Sequence, residues 1–158
     1  MKNTRFLIQA AVIAAVYAVL TILLMPFSYG PMQVRVSEAL TVLPFFTPAA
    51  IPGLFVGCIV SNIVSPYGLI DMVLGSSATL IAAVLSYLLR NKPILVPLPP
   101  VVANGIIIGA MLKYAYSVPM PLYACILWVA AGELVACYLI GYPLLRILKK
   151  YKKIFELH

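Results

Sequence analysis

Three acids stand inside long apolar stretches of this chain: Glu38, Asp71 and Glu133. A charge within a membrane span is costly, so such groups face protein or a water-filled cavity and are candidates for function. Each carboxylate has two acceptor oxygens, which suits it to the donor edge of a heterocycle or to an ammonium group. Arg35, Gln33, Asn62 and Tyr67 fall beside Glu38 and Asp71 in the expected topology, Asn104 near the middle of a later span, and Trp128 five residues before Glu133. Together they could line one outward-facing pocket, polar at its mouth and floored by Glu133 and Asn104. A few convergent polar groups of this kind suit a small ligand.

Each residue also has a structural reading. Arg35 and Glu38 are spaced i,i+3 and could form an ion pair within one helix. Asp71 near a helix start could serve the helix dipole, and Asn62 and Asn104 could join helices by hydrogen bonds. Trp128 and the tyrosines could anchor the membrane interface; on an ideal helix Trp128 lies about 140° around from Glu133. Glu133 has no basic residue within a turn to offset it. At the helical rise it sits about 16 Å into its span.

The elements that must position these groups follow from composition. Of 158 residues 64% are hydrophobic and 9% charged, with a mean hydropathy of +1.08. A soluble core could not hide that much apolar surface. At about 20 residues per crossing the chain has room for roughly six helices, and none for an extramembrane catalytic domain. Spans are predicted over about 6–25, 37–46, 49–64, 69–89, 101–115 and 122–148, separated by Pro- and Gly-containing stretches. The second and third are short enough for tilt or partial re-entrance. The first starts like a signal peptide but is long enough to be a retained helix. No internal repeat is evident, so the chain reads as a single all-α membrane domain, 1–158.

The net charge of +7 is distributed at helix ends: Lys2, Arg5, Arg90, Lys92, Arg146, Lys149, Lys150, Lys152 and Lys153 flank the spans. This is the positive-inside pattern of a multi-pass cell-membrane protein with both termini cytoplasmic, not a nucleic-acid surface. Cys58, Cys125 and Cys137 lack CxxC spacing and the only histidine is His158, so neither a disulfide framework nor a metal site is expected. Without a nucleophile–base pair, an enzyme is disfavoured. On the first span, Ala10, Ala14 and Ala18 recur every fourth residue with Ala11 and Ala15 beside them. Such a small face lets another helix approach, whether from this chain or a partner.

The run Gln33-Val-Arg35-Val-Ser-Glu38-Ala-Leu-Thr-Val-Leu-Pro44-Phe-Phe-Thr-Pro48-Ala-Ala-Ile-Pro52-Gly53-Leu, with Asp71-Met-Val-Leu-Gly75-Ser-Ser and Glu133, resembles the QueT family of queuosine-precursor transporters. Those are substrate-binding S components of energy-coupling factor (ECF) importers. The resemblance implies a six-helix S-component bundle that captures a deazaguanine-type base outside. It further implies a transmembrane T subunit docked on the alanine face and two cytoplasmic ATPases that use ATP. The chain itself would need no cofactor, consistent with its lack of a GxxxxGK[ST] sequence. In this reading Glu133 is the main anchor for the donor edge, with Asp71 or Glu38 serving an aminomethyl cation nearer the mouth. An S component for another vitamin shares everything but the pocket residues.

Overall fold

A computed structural model describes residues 2–28, 35–65 and 68–155. Among them helix is the regular structure throughout, and no strand occurs. Helix α1 (Lys2–Leu23) is followed by a single turn, α2 (Met25–Ser28), then a 3-10 helix (Val36–Phe45), α3 (Ala50–Asn62) and α4 (Gly68–Leu88). Beyond a short 3-10 turn (Pro93–Leu95) come α5 (Leu98–Tyr114) and α6 (Leu122–Leu134). The latter continues through a π-helical segment (Val135–Gly141) into α7 (Tyr142–Leu148) and a 3-10 tail (Lys149–Phe155).

Four stretches are long and apolar enough to cross a membrane: Asn3–Leu23, Gly68–Leu88, Pro93–Tyr114 and Leu122–Tyr151. Val36–Phe45 and Ala50–Asn62 are shorter apolar helices, so of the six spans expected four are of spanning length and two fall short of it. The first helix also differs in detail, since Pro26 sits within α2 and α1 stops at Leu23. In the bundle α1 packs on α3, α3 on α4, α4 on α5 and α5 on α6, while the 3-10 helix touches the π segment, α4, α1, α3 and α7. It is therefore the inner element, with Ser37, Glu38, Ala39, Thr41, Val42, Leu43 and Pro44 all buried. The outer helices turn apolar side chains outward, among them Leu7, Val12, Val19 and Leu23 of α1 and Leu69 and Val73 of α4. In water that surface would drive aggregation. In lipid it is the matching solvent.

The inner helix was expected to be a short α-helix and is 3-10 instead. A 3-10 helix rises about 2.0 Å per residue against 1.5 Å for α. Ten residues thus reach about 20 Å, most of the thickness of a bilayer core. Pro44 inside it has no N–H to give, so a regular α ladder would be incomplete there anyway. The sixth helix was expected to be continuous, and its π segment ends just before Pro143. That proline cannot donate to the carbonyl four residues back, which removes an α-type bond at the junction.

At one end of the bundle the described C-terminal tail returns to α1. Phe155 lies against Ile8, Gln9 and Val12 of α1 and stacks on Phe46 with ring centroids 4.9 Å apart. Thr47 bonds the Gln9 side chain at 2.9 Å, and Val42, Val96 and Leu145 form a small apolar core nearby. Arg90, Arg146 and Lys149 stand over the rings of Tyr87, Tyr142 and Phe45.

Candidate functional site

At the other end, the start of the 3-10 helix meets the start of α4 and the end of α3. Arg35 Nη2 reaches both oxygens of Asp71, at 3.1 and 3.0 Å, and both side chains are buried. Ser65 Oγ donates to Asp71 Oδ2 at 2.7 Å, and Asn62 Nδ2 donates to the Asp71 carbonyl at 3.1 Å. Gly75 makes the room: a Cβ there would stand 2.9 Å from Asn62 Nδ2 and 3.1 Å from Asp71 Oδ1. Arg35 thus pairs across helices with Asp71, not with Glu38 within its own helix. Arg35 stands in extended backbone just before the 3-10 segment, so the i,i+3 spacing of a helix does not apply to it.

One turn deeper, Glu38 is completely buried. Its Oε1 accepts from the Tyr17 hydroxyl of α1 and from Thr79 Oγ1 of α4, the latter at 3.3 Å. Its backbone carbonyl accepts from Thr41 Oγ1 at 2.6 Å and lies 3.6 Å from Cys137 Sγ. Cys137 in turn lies 3.5 Å from Glu133 Oε2, and Asn104 Nδ2 of α5 donates to Glu133 Oε1 at 2.9 Å. The acids expected at the mouth and the acid expected at the floor therefore belong to one continuous buried cluster. Cys58 joins its two halves, with Thr79 Oγ1 at 3.4 Å, Asn62 Nδ2 at 3.5 Å and Arg35 Nη1 at 3.9 Å.

The structure therefore gathers Arg35, Glu38, Asn62, Asp71, Asn104 and Glu133. Trp128 stands outside the cluster, 43% exposed on α6, as its angular offset from Glu133 on a helix requires. Gln33 and Tyr67 lie outside the described residues. The alanines of α1 divide. Ala10 and Ala14 back onto Gly53 and Gly57 of α3, Ala18 is buried, and Ala11 and Ala15 are exposed. Ala10, Ala11 and Ala14 also border a shallow apolar groove of about 250 Å³ with Phe6, Leu7, Pro52 and Val56.

Sequence reasoning missed Tyr17, Thr79, Cys58, Cys137 and Ser65. Tyr17 interrupts the alanine face and by type alone reads as one of the interface tyrosines. The spacing of the cysteines speaks only to disulfides and metals, and they act here as polarizable neighbours of acids. The available signal was helical phase: Tyr17 falls on the Ile13–Thr21 side of α1, and Thr21 Oγ1 also reaches inward, to Ser37 Oγ at 2.6 Å.

Charge is the plainest property of the cluster. Among the described buried residues Arg35 is the one base, against the acids Glu38, Asp71 and Glu133. Asp71 is matched by Arg35. Glu38 and Glu133 have hydrogen-bond donors but no second base among the described buried residues, an arrangement that suits a positively charged donor.

The sequence profile of a family described as QueT transporter matches residues 7–150 of the chain. A curated relative, the queuosine precursor transporter QueT of Lactococcus lactis subsp. cremoris (strain MG1363), is 38% identical over 93 residues, which are 58% of this chain and 54% of the relative. The match thus spans about half the length of that relative. No solved structure matches the chain significantly.

Proposed function

The chain belongs to the QueT transporter family, and from that premise we propose that it binds a queuosine precursor, a deazaguanine-type base, for uptake across the cell membrane. It is a multi-pass membrane protein by its apolar helices and its family. The observation that carries the substrate reading is the buried cluster in which three acids face a single arginine. A deazaguanine offers a donor edge of ring and amino N–H groups, and its aminomethyl form adds a cation. Carboxylates accept both, through charge-assisted hydrogen bonds. Glu133 of α6, with Asn104 of α5, takes the donor edge in this reading.

The same proposal makes the chain the S component of an ECF importer, with no catalytic step of its own. Capture occurs on the side of the Arg35–Asp71 pair, and both termini face the cytoplasm, as the basic residues near the chain ends favour. A T subunit and two ATPases supply the energised step. The T subunit meets α1 beside Ala11, where the apolar groove lies open.

Reconstitution tests the reading. Purified chain should bind aminomethyl-deazaguanine in preference to unrelated vitamins such as riboflavin and thiamine. Proteoliposomes should accumulate the base against a gradient only when the T and ATPase subunits and ATP are present. Preferential binding of another vitamin would overturn the substrate, and concentrative uptake by the chain alone would overturn the S-component role.

A further inference from the structure

The three acids are not equally available to a ligand. Asp71 spends both oxygens within the protein, on Arg35 Nη2 and, for Oδ2, also on Ser65 Oγ. Glu133 has a contact at each oxygen, Asn104 on Oε1 and Cys137 on Oε2. Glu38 is held at Oε1 by Tyr17 and Thr79, while its buried Oε2 has no hydrogen-bond partner among the described residues. A fully buried acceptor without a donor is costly to leave so, and in native proteins such an atom calls for a specific explanation. Here the explanation can be a ligand.

We propose that Glu38 Oε2 is the atom that receives the ligand's ammonium group, that Tyr17 is the residue that aims it, and that Asp71 serves the protein and not the ligand. This rests on the substrate reading above and assigns the aminomethyl cation to one of the two acids that sequence reasoning left open. Charge supports it. The ion pair of Arg35 is with Asp71, and three buried acids share that one buried base, so the cluster still favours a cation arriving at Glu38. Geometry supports it too. Tyr17 comes from α1, Thr79 from α4 and Glu38 from the inner 3-10 helix, so three elements fix Oε1 and leave the rotation of the carboxylate little freedom. The open oxygen is thereby preorganised, which lowers the cost of ordering on binding.

The proposal predicts a split between two ligands that differ only in the amine. Wild type, Glu38→Gln, Asp71→Asn and Tyr17→Phe, purified in detergent, are titrated calorimetrically with aminomethyl-deazaguanine and with 7-deazaguanine, which keeps the ring edge and lacks the aminomethyl arm. Glu38→Gln should weaken the aminomethyl base about tenfold or more, the loss of a charge-assisted bond, and 7-deazaguanine by less than about threefold. Tyr17→Phe should shift the ratio of the two affinities in the same direction by a smaller factor. Asp71→Asn, where the protein folds, should change both ligands alike. Melting of the ligand-free proteins gives a second reading that needs no ligand. Because Oε2 lacks a donor, Glu38→Gln should melt at or above the wild-type temperature. Equal loss of both bases in Glu38→Gln, unchanged binding of both, or a failure of that variant to fold would overturn the assignment of Glu38. A wild type that binds neither base would overturn the substrate reading itself, and the role of Glu38 toward an aminomethyl group with it.

Discussion

Two seams of the bundle are built on opposite terms. Where α1 crosses α3, backbone lies on backbone: a Cβ on Gly57 would stand 2.8 Å from the Ala14 carbonyl and 2.9 Å from Tyr17 Cβ, and one on Gly53 would stand 2.8 Å from the Ala10 carbonyl. Where the 3-10 helix meets the π segment, side chains with oxygen and sulfur fill the space, among them Glu38, Thr41 and Cys137. The first seam gains contact by placing glycines of α3 against the backbone of α1, as membrane helices commonly do with small residues. The second has irregular helices at the site, where such departures concentrate. They are coupled through one residue. Tyr17 is packed by its Cβ in the tight seam and bonded by its hydroxyl in the polar one. The rigid contact thus sets the aim of the polar group.

The largest expected effect on stability comes from separating the charges at the rim of the polar seam. Asp71→Ala leaves Arg35 buried without its carboxylate, and breaking a buried pair costs about 3–5 kcal/mol. The double change Arg35→Met with Asp71→Leu should recover most of that loss, since apolar replacements of a buried pair are often near neutral. Thermal unfolding in detergent measures both. An Asp71→Ala protein that melts like wild type would mean that the pair contributes nothing to the fold.

Next in size is the tight seam. Gly57→Ala inserts a methyl group against main-chain atoms of Ala14 that cannot rotate away, so overpacking of about 1–3 kcal/mol is expected. Because Tyr17 Cβ is the other neighbour, the substitution should also weaken binding of aminomethyl-deazaguanine, and Ala→Gly at position 14 alone should not. If Gly57→Ala lowers the melting temperature with no change in affinity, the two seams are independent and the coupling through Tyr17 is wrong.

The seams also differ in how much of them a reader of the sequence can see. Alanines at every fourth position on α1 announce close helix packing, but not whose helix arrives. The answer, Gly53 and Gly57 of the same chain, needs the angle at which α1 and α3 meet. Glu38, Asp71, Glu133 and Asn104 stand out by type, since polar groups are rare in these spans. Their pairing does not, because Arg35 stands in extended backbone just before the 3-10 helix, outside any helical count. Arg35 accordingly finds Asp71, 36 residues along the chain, in place of a neighbour one turn away. Tyr17, Cys58 and Cys137 were hidden for a plainer reason. In an apolar helix they are ordinary core residues until a partner acid is known to face them.

The smallest expected effect on stability is the one that separates packing inside the chain from docking outside it. Ala18 is buried with 6% of its surface exposed, whereas Ala11 is exposed at the edge of the apolar groove formed with Phe6, Leu7, Pro52 and Val56. Trp at position 18 must displace core atoms and should destabilise the protein strongly. Trp at position 11 meets the edge of that open groove and the surrounding lipid or detergent, so stability should stay within about 0.5 kcal/mol of wild type, as for surface changes elsewhere. Affinity for the base should also be unchanged, because Tyr17 and the acids lie on the other side of the helix. If the T subunit docks at this groove, however, the indole ring holds it away, and ATP-driven uptake in proteoliposomes should be lost although the chain still folds and binds. Full uptake by Ala11→Trp would move the docking face off this groove. Loss of folding or of ligand binding would mean that position 11 is packed within the chain, and that α1 belongs to the bundle on every side.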